Sequence, residues 1–164
     1  MKGIIVVDPK RCLGCHSCHL HCATAHSESK QLMQAIQQRP LPQPRINVEA
    51  QALPLQCRHC EDAPCVEVCA TKALERKDQE SPVLINDRLC IGCKQCILVC
   101  PFGVIYMDAQ GKAVTKCDLC FERLQKDELP ACVSGCPTGA LQFKSIEQAS
   151  KEEKKEYLIK YKKS

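Results

Sequence analysis

The sequence predicts a small α+β fold in which a short hairpin-and-helix unit is used twice and cysteine takes the place of an aliphatic core. Three observations carry this prediction. Sixteen of the 164 residues are Cys, against three Phe, three Tyr and no Trp. Hydrophobic residues make up 45% of the chain, and setting the cysteines aside leaves roughly a third, a thin supply for an ordinary core. The flanks of the cysteine runs also repeat one another within the chain.

The cysteines fall into four groups of four. Cys12, Cys15, Cys18 and Cys22 give C-x2-C-x2-C-x3-C; Cys57, Cys60, Cys65 and Cys69 give C-x2-C-x4-C-x3-C. Cys90, Cys93, Cys96 and Cys100 repeat the first spacing and are followed by Pro101; Cys117, Cys120, Cys132 and Cys136 give C-x2-C-x11-C-x3-C before Pro137. A C-x2-C-x2-C-x3-C-P run is the bacterial ferredoxin signature for [4Fe–4S] ligation. Four variants with no Cys left over point to four [4Fe–4S] clusters held through iron by the sixteen Cys. The spacing has a geometric reason. Three thiolates on one curling loop reach three corners of a cubane, and spacers such as Leu13-Gly14 and Ile91-Gly92 let the backbone wrap close. The fourth corner must come from elsewhere, and a following Pro ends the ligand segment.

A disulfide scaffold fits less well. The opening apolar run, Ile4 to Val7, is too short for a signal-peptide core and ends in Asp-Pro. No stretch approaches a membrane span, so the expected location is cytoplasmic, where clustered thiols bind metal.

Taken along the chain, Val6–Cys15 parallels Leu84–Cys93, and three echoes follow a fourth Cys: Ala70–Leu74, Pro101–Ile105 and Pro137–Leu141. Val83–Ile85 and Val104–Met107 read as hairpin strands, with Asp108–Gly111 as a turn. Ile4–Val7 is expected to pair with Leu141–Phe143 and bring the ends of the chain together. In the linker, residues 23–56, Ser27 is a candidate cap for a helix to about Gln38 with Leu32, Met33 and Ile36 on its apolar face. The segment Arg39–Arg45 is Pro-rich and expected to be an extended connector. The basic tail, 150–164, fits either a docked helix or a frayed, solvated end.

The four runs, in this order and with the long gap in the fourth, resemble the four-cluster iron–sulfur subunits of the dimethyl-sulfoxide-reductase and formate-hydrogenlyase type. Residues Pro54–Val66 are closer still to the ferredoxin-like proteins that accompany carbon monoxide dehydrogenase and tungsten aldehyde oxidoreductase. The resemblance covers residues 1 to about 145. It implies a duplicated ferredoxin-like fold of two bacterial dicluster units, one inserted in the other. The outer half would take 1–56 and 110–149, the inner half 57–109. It also implies a ligand pairing. Cluster 1 would use Cys12, Cys15, Cys18 and Cys136; cluster 2, Cys22, Cys117, Cys120 and Cys132. Cluster 3 would use Cys57, Cys60, Cys65 and Cys100; cluster 4, Cys69, Cys90, Cys93 and Cys96. Cys22 and Cys69 precede Ala rather than Pro, which questions the local turn and not the cluster.

Function follows from the clusters and not the fold. The chain contains neither G-x-G-x-x-G nor a Walker A loop, and no organic-substrate site is legible, so no catalytic site is expected. The reading is an electron-transfer protein between a second redox protein and a catalytic oxidoreductase subunit. That subunit would be carbon monoxide dehydrogenase, or a tungsten or molybdenum aldehyde or formate oxidoreductase of anaerobic metabolism. A free, diffusing polyferredoxin is the alternative, and a homo-oligomer or filament is a further arrangement.

The formal charge of +4 suggests a nucleic-acid partner only until the clusters are counted. Thiolates and oxidised cubane cores together would bring it to about −4. Lys94, Lys116 and Arg123 beside the runs are read first as solvated charges, and second as offsets to cluster charge or docking contacts. A zinc-binding nucleic-acid module is the last alternative. Zinc uses Cys pairs, whereas three-Cys runs leave an extra ligand each time, and stacking aromatics are scarce. The overlapping C-x-x-C-H matches at Cys12–His16 and Cys15–His19 share Cys15, and using either for haem would break a complete run. His16, His19, His21, His26 and His59 are then surface residues or lie behind the ligands.

Overall fold

The computed structural model describes residues 3–48 and 53–161. Residues 1–2 at the start, 49–52 of the expected linker and 162–164 of the expected tail lie outside the described residues. In chain order the elements are β1 (Ile4–Val7), α1 (Ser17–Ala25), α2 (Leu32–Ala35), β2 (Asn47–Val48) and β3 (Pro54–Leu55). There follow α3 (Pro64–Glu67), β4 (Leu74–Glu75), β5 (Leu84–Ile85), α4 (Gln95–Val99), β6 (Tyr106–Met107) and β7 (Val114–Thr115). The chain ends with α5 (Phe121–Leu124), α6 (Ala131–Ser134), β8 (Leu141–Lys144) and α7 (Ile146–Tyr161). This is the expected small α+β architecture of hairpins and short helices. Among the described residues no helix is long and apolar enough to cross a membrane.

Each strand pairs antiparallel with one other: β1 with β8, β2 with β3, β4 with β5 and β6 with β7. The expected pairing of the chain's ends is present, with Ile4 opposite Lys144 and Val7 opposite Leu141. The alternation of a two-sided strand puts Ile5 and Leu141 into the interior. The turn between β6 and β7 also forms as expected. Asp108 accepts the backbone N–H of Gly111 on its carbonyl, and its carboxylate accepts the N–H groups of Lys112 and Ala113. Both inner strands are shorter than the sequence suggested: β5 starts at Leu84 and β6 at Tyr106, with Val83, Val104 and Ile105 buried just ahead of them.

The interior is divided. Ile5, Cys18, Cys22, Ile46, Val48, Leu119, Cys132 and Leu141 form one packed group. Ala63, Leu74, Val83, Cys96, Ile105 and Val114 form a second. Helix α1 packs on α6 beside the first group, and α3 packs on α4 beside the second. Cysteine thus supplies part of the apolar packing itself.

The three echoes after a fourth Cys share one backbone turn. Lys72, Gly103 and Gly139 all have positive φ (55°, 61° and 61°), and their N–H groups donate to the carbonyls of Cys69, Cys100 and Cys136. Ala after Cys69 therefore does not prevent the turn. At Cys22 the outcome differs: α1 runs on to Ala25, and the His26 N–H donates to the Cys22 carbonyl.

The helix expected from Ser27 to Gln38 is a correction, since only α2 forms there. The Ser27 hydroxyl donates to the Thr24 carbonyl (2.7 Å) and accepts the Lys30 N–H (3.0 Å), closing α1 instead of opening a new helix. Lys30 then breaks the path with φ 54°, and Leu32, Met33 and Ile36 stay exposed. The tail forms a helix as far as Tyr161, with Tyr157, Leu158 and Tyr161 exposed. Ser145 and Gln148 exchange bonds as a capping box, the Ser145 N–H donating to Gln148 Oε1 and the Gln148 N–H to Ser145 Oγ. Helix α7 starts there, and Lys144 pairs with Glu152.

Gly14 and Gly92 occupy matching places in their C-x-G-C loops, with φ 64° and 67°. A Cβ at Gly92 would lie 2.6 Å from the Lys112 carbonyl oxygen, whereas Gly14 faces open space. Gly14→Ala should therefore cost only the left-handed penalty, about 1–2 kcal/mol. Gly92→Ala adds a backbone clash, and a denaturant titration should show it clearly the more destabilising of the two.

Candidate metal centres

All sixteen cysteines are free thiols. Cys12, Cys15, Cys18 and Cys136 line one small cavity. Cys136 also acts electrostatically on Cys15 and Cys18. Cys22 acts on Cys117, Cys120 and Cys132. Cys57 and Cys100 both act on Cys60 and Cys65. Cys69, Cys90 and Cys93 act on Cys96. Cys18 acts on Cys132 as well, so these influences also cross between the first and fourth runs.

The backbone curls tightly round these thiols. His16 and Lys94, two residues beyond the loop glycines, have φ 58° and 67° and open α1 and α4. Helix α1 then buries Cys18 and Cys22, four residues apart and so on one face. Backbone N–H groups point at sulfur: Arg45 at Cys22 (3.1 Å), Leu119 at Cys117 (3.3 Å), His59 at Cys57 and Leu74 at Cys69 (both 3.4 Å). Soft sulfur donors with N–H groups aimed at them are the kind of ligand that a [4Fe–4S] cubane takes.

Burial grades the groups. Cys22, Cys117, Cys120 and Cys132 are all buried, while Cys15 and Cys93 are exposed. The loop tips beside the exposed pair carry exposed apolar residues, Leu13 and Ile91. Without metal, burial pushes the Cys18 and Cys65 thiols up to about 11 and Cys120 up to about 12. Cys69 and Cys136 go the other way. Burial alone would raise them, but N–H donors from Leu74 and Leu141 and the hydroxyls of Thr71 and Thr138 hold them low. Because binding requires thiolates, iron uptake must expel protons from the deep thiols.

Several charged residues stand behind the thiols, and the sequence marked few of them. Asp118 lies between Cys117 and Cys120. Its carboxylate meets His26 Nε2 (3.1 Å) and Arg45 Nη1 (2.7 Å) and accepts the Cys120 N–H (2.9 Å). Although His26, Asp118 and Cys120 could converge on a metal ion, the pairing with His26 and Arg45 accounts for the carboxylate. Burial opposes charge on both His26 and Asp118. It is outweighed at His26 by Asp118, which raises the imidazole to about 9, and at Asp118 by His26 and Arg45, which hold the carboxyl well below its ordinary range. Arg76 donates to the carbonyls of His59 (2.5 Å), Cys60 (2.6 Å) and Glu61 (3.1 Å), bracing the second loop.

Lys116 corrects the expectation of a solvated charge: it is 1% exposed. Lys94 is exposed, as expected, and Arg123 pairs with Glu128. His59 accepts the Val83 N–H on Nδ1 (3.0 Å), and burial, followed by the charge on Lys116, drops it to about 3.

Asp118→Asn should lower unfolding stability by about 2 kcal/mol, the pair being largely but not wholly buried. The pH dependence follows from the two shifts. The Asp118 contribution is complete above its ordinary 3.8 and is lost as pH falls below that value. The His26 contribution is complete below 6.5 and is lost as pH rises through about 9. Anaerobic denaturant titrations of the variant should show both limbs flattened relative to the native chain.

Comparison with known proteins agrees with this chemistry. Residues 48–146 match the 4Fe-4S dicluster domain. The chain is 41% identical to an iron-sulfur protein of Rhodospirillum rubrum, covering 88% of this chain and 83% of that one. It is 36% identical to the thiosulfate reductase electron transfer subunit PhsB of Salmonella typhi, covering 89% and 77%. It is 35% identical to protein NrfC of Escherichia coli, covering 90% and 67%. With sixteen free thiols and a family match over most of its length, the chain belongs to the 4Fe-4S dicluster domain family.

Proposed function

We propose that this chain holds four [4Fe–4S] clusters in two dicluster ferredoxin halves and carries electrons for a catalytic oxidoreductase subunit. The observation that carries the reading is the cavity lined jointly by Cys12, Cys15 and Cys18 of the first run and Cys136 of the fourth. Three thiols of each cluster would come from one run and the last from a partner run. Cys12, Cys15, Cys18 and Cys136 would hold the first cluster, and Cys22, Cys117, Cys120 and Cys132 the second. Cys57, Cys60, Cys65 and Cys100 would hold the third, and Cys69, Cys90, Cys93 and Cys96 the fourth. The two packed groups fit an inner half within an outer one. Residues 110–115 go with the inner half in this reading, because Val114 packs there and β7 pairs with β6.

When bound, each cluster supplies one-electron exchange. The protein's own part is to shield the deep thiols, aim N–H groups at sulfur and keep the charge balanced. Electrons would enter and leave by the first and fourth groups, where Cys15 and Cys93 reach the surface beside the apolar tips Leu13 and Ile91. Such tips suit docking to a redox partner.

The catalytic partner in this reading is a carbon monoxide dehydrogenase, or a tungsten or molybdenum aldehyde or formate oxidoreductase. A relative named as an electron transfer subunit of thiosulfate reductase supports a dedicated subunit over a freely diffusing polyferredoxin. The test is metal analysis of the chain, isolated without oxygen from its own host, with whatever co-purifies. About sixteen irons per chain are expected from four cubanes, and about eight would end the four-cluster reading. Nickel would identify the first partner class, tungsten or molybdenum the second, and iron alone with no bound protein a diffusing carrier.

A further inference from the structure

Lys116 is buried, and among the described residues it has no carboxylate partner. Its Nζ donates to the carbonyl oxygens of Val83 (2.5 Å) and Cys117 (2.8 Å), and it is 1% exposed. Among the described residues no carboxylate forms an ion pair with it; the neighbouring Asp118 is already engaged by His26 and Arg45. An isolated buried cation is costly unless negative charge faces it, and two carbonyl dipoles supply only part of that charge.

The position of Lys116 shows where the rest comes from. It directly precedes Cys117, and its charge bears on Cys65, so it touches the surroundings of two different groups of thiols. The Val83 peptide links them further, accepting from Lys116 at its carbonyl and donating from its N–H to His59, which lies between Cys57 and Cys60. A hydrogen-bonded path thus runs from the Cys117 loop to the Cys57 loop, with one fixed positive charge on it. Four thiolates round a 2+ cubane core leave a net charge of about −2, and one electron more when the core becomes 1+. The counter-charge missing from the protein is the charge those two groups would hold.

We propose that Lys116 is the fixed cation of the junction between the second and third clusters and that it raises the reduction potential of both. The central pair then holds electrons in preference to the outer pair, whose Cys15 and Cys93 are exposed. This inference rests on the four-cluster reading above. The step it concerns is uptake of one electron by a core passing from 2+ to 1+, the donor being the redox partner or, in the test, a chemical reductant.

The test is a redox titration followed by electron paramagnetic resonance on the whole anaerobic protein and on Lys116→Gln, Lys116→Met and Lys116→Arg. Gln keeps an N–H donor for the two carbonyls but removes the charge; Arg keeps the charge. With iron content unchanged, both neutral variants should shift two of the four reduction steps to lower potential. Each equilibrium should change by about tenfold, or about 59 mV for one electron, while Arg stays near the native values. Four unmoved steps at full iron would overturn the proposal. So would an equal shift in the Arg variant, which would mean packing and not charge, or loss of iron from both neutral variants, which would make Lys116 a brace. Iron and spin counts on the native protein come first, so failure of the four-cluster reading is seen separately.

Discussion

Replacing Cys136 with Ala should remove about four irons from the protein, and replacing Cys15 as well should remove no more. Two substitutions at one cubane share a single loss. Cys136 lines a cavity with Cys12, Cys15 and Cys18, although it stands 118 positions after Cys18 in the sequence. The contrasting double variant, Cys136→Ala with Cys120→Ala, should lose about eight irons, because the proposed pairing assigns Cys120 to the second cluster with Cys22, Cys117 and Cys132. Iron analysis of the single and double variants distinguishes the exchanged pairing from one in which each run fills its own site. If the Cys136–Cys120 double variant loses only about four irons and the Cys136–Cys15 variant loses about eight, the exchanged pairing is wrong.

Stripping the iron should unfold the chain. The two packed groups are small, and the first counts Cys18, Cys22 and Cys132 among its buried residues. Most strands are two residues long, well below what an isolated hairpin needs for stability. Metal binding at structural sites contributes about 10 kcal/mol or more, comparable with the whole stability of a domain at about 5–15 kcal/mol. Anaerobic chelation should therefore abolish the helical circular dichroism and open the chain to protease. Re-uptake should strengthen as pH rises, since the deep thiols, Cys120 at about 12 among them, must lose protons to bind. A stripped chain that still melts cooperatively would show that side-chain packing alone sustains the fold.

What could be read in advance depended on how local the determining physics was. The pairing of Ile4–Val7 with the strand after Cys136 was legible because apolar residues flank repeated motifs at both ends. The Asp108–Gly111 turn was legible from its residue types. Ser27 misled because its hydroxyl has two uses, and the Thr24 carbonyl, three residues back, took it. Asp118 and Arg76 were not singled out, since nothing local reveals that the partner of Asp118 is Arg45, or that Arg76 reaches back to carbonyls at 59–61. Lys116 was weighed as a surface charge, as a Lys next to a Cys ordinarily is. Its burial comes from Val83, on a segment brought there by the β4–β5 hairpin.

The pairing of β1 with β8 also sets a timetable. At about 5–20 residues per second of synthesis, strand β1 waits on the order of ten seconds for its partner. The inner packed group draws on residues 63–114 and can close while the C-terminal strand is still unmade. Of the sixteen cysteines, the first run is thus made before the others yet is among the last to be enclosed. Oxygen met during translation should harm Cys12, Cys15 and Cys18 before it reaches the inner loops, and iron delivery to the newborn chain should proceed from the middle outward.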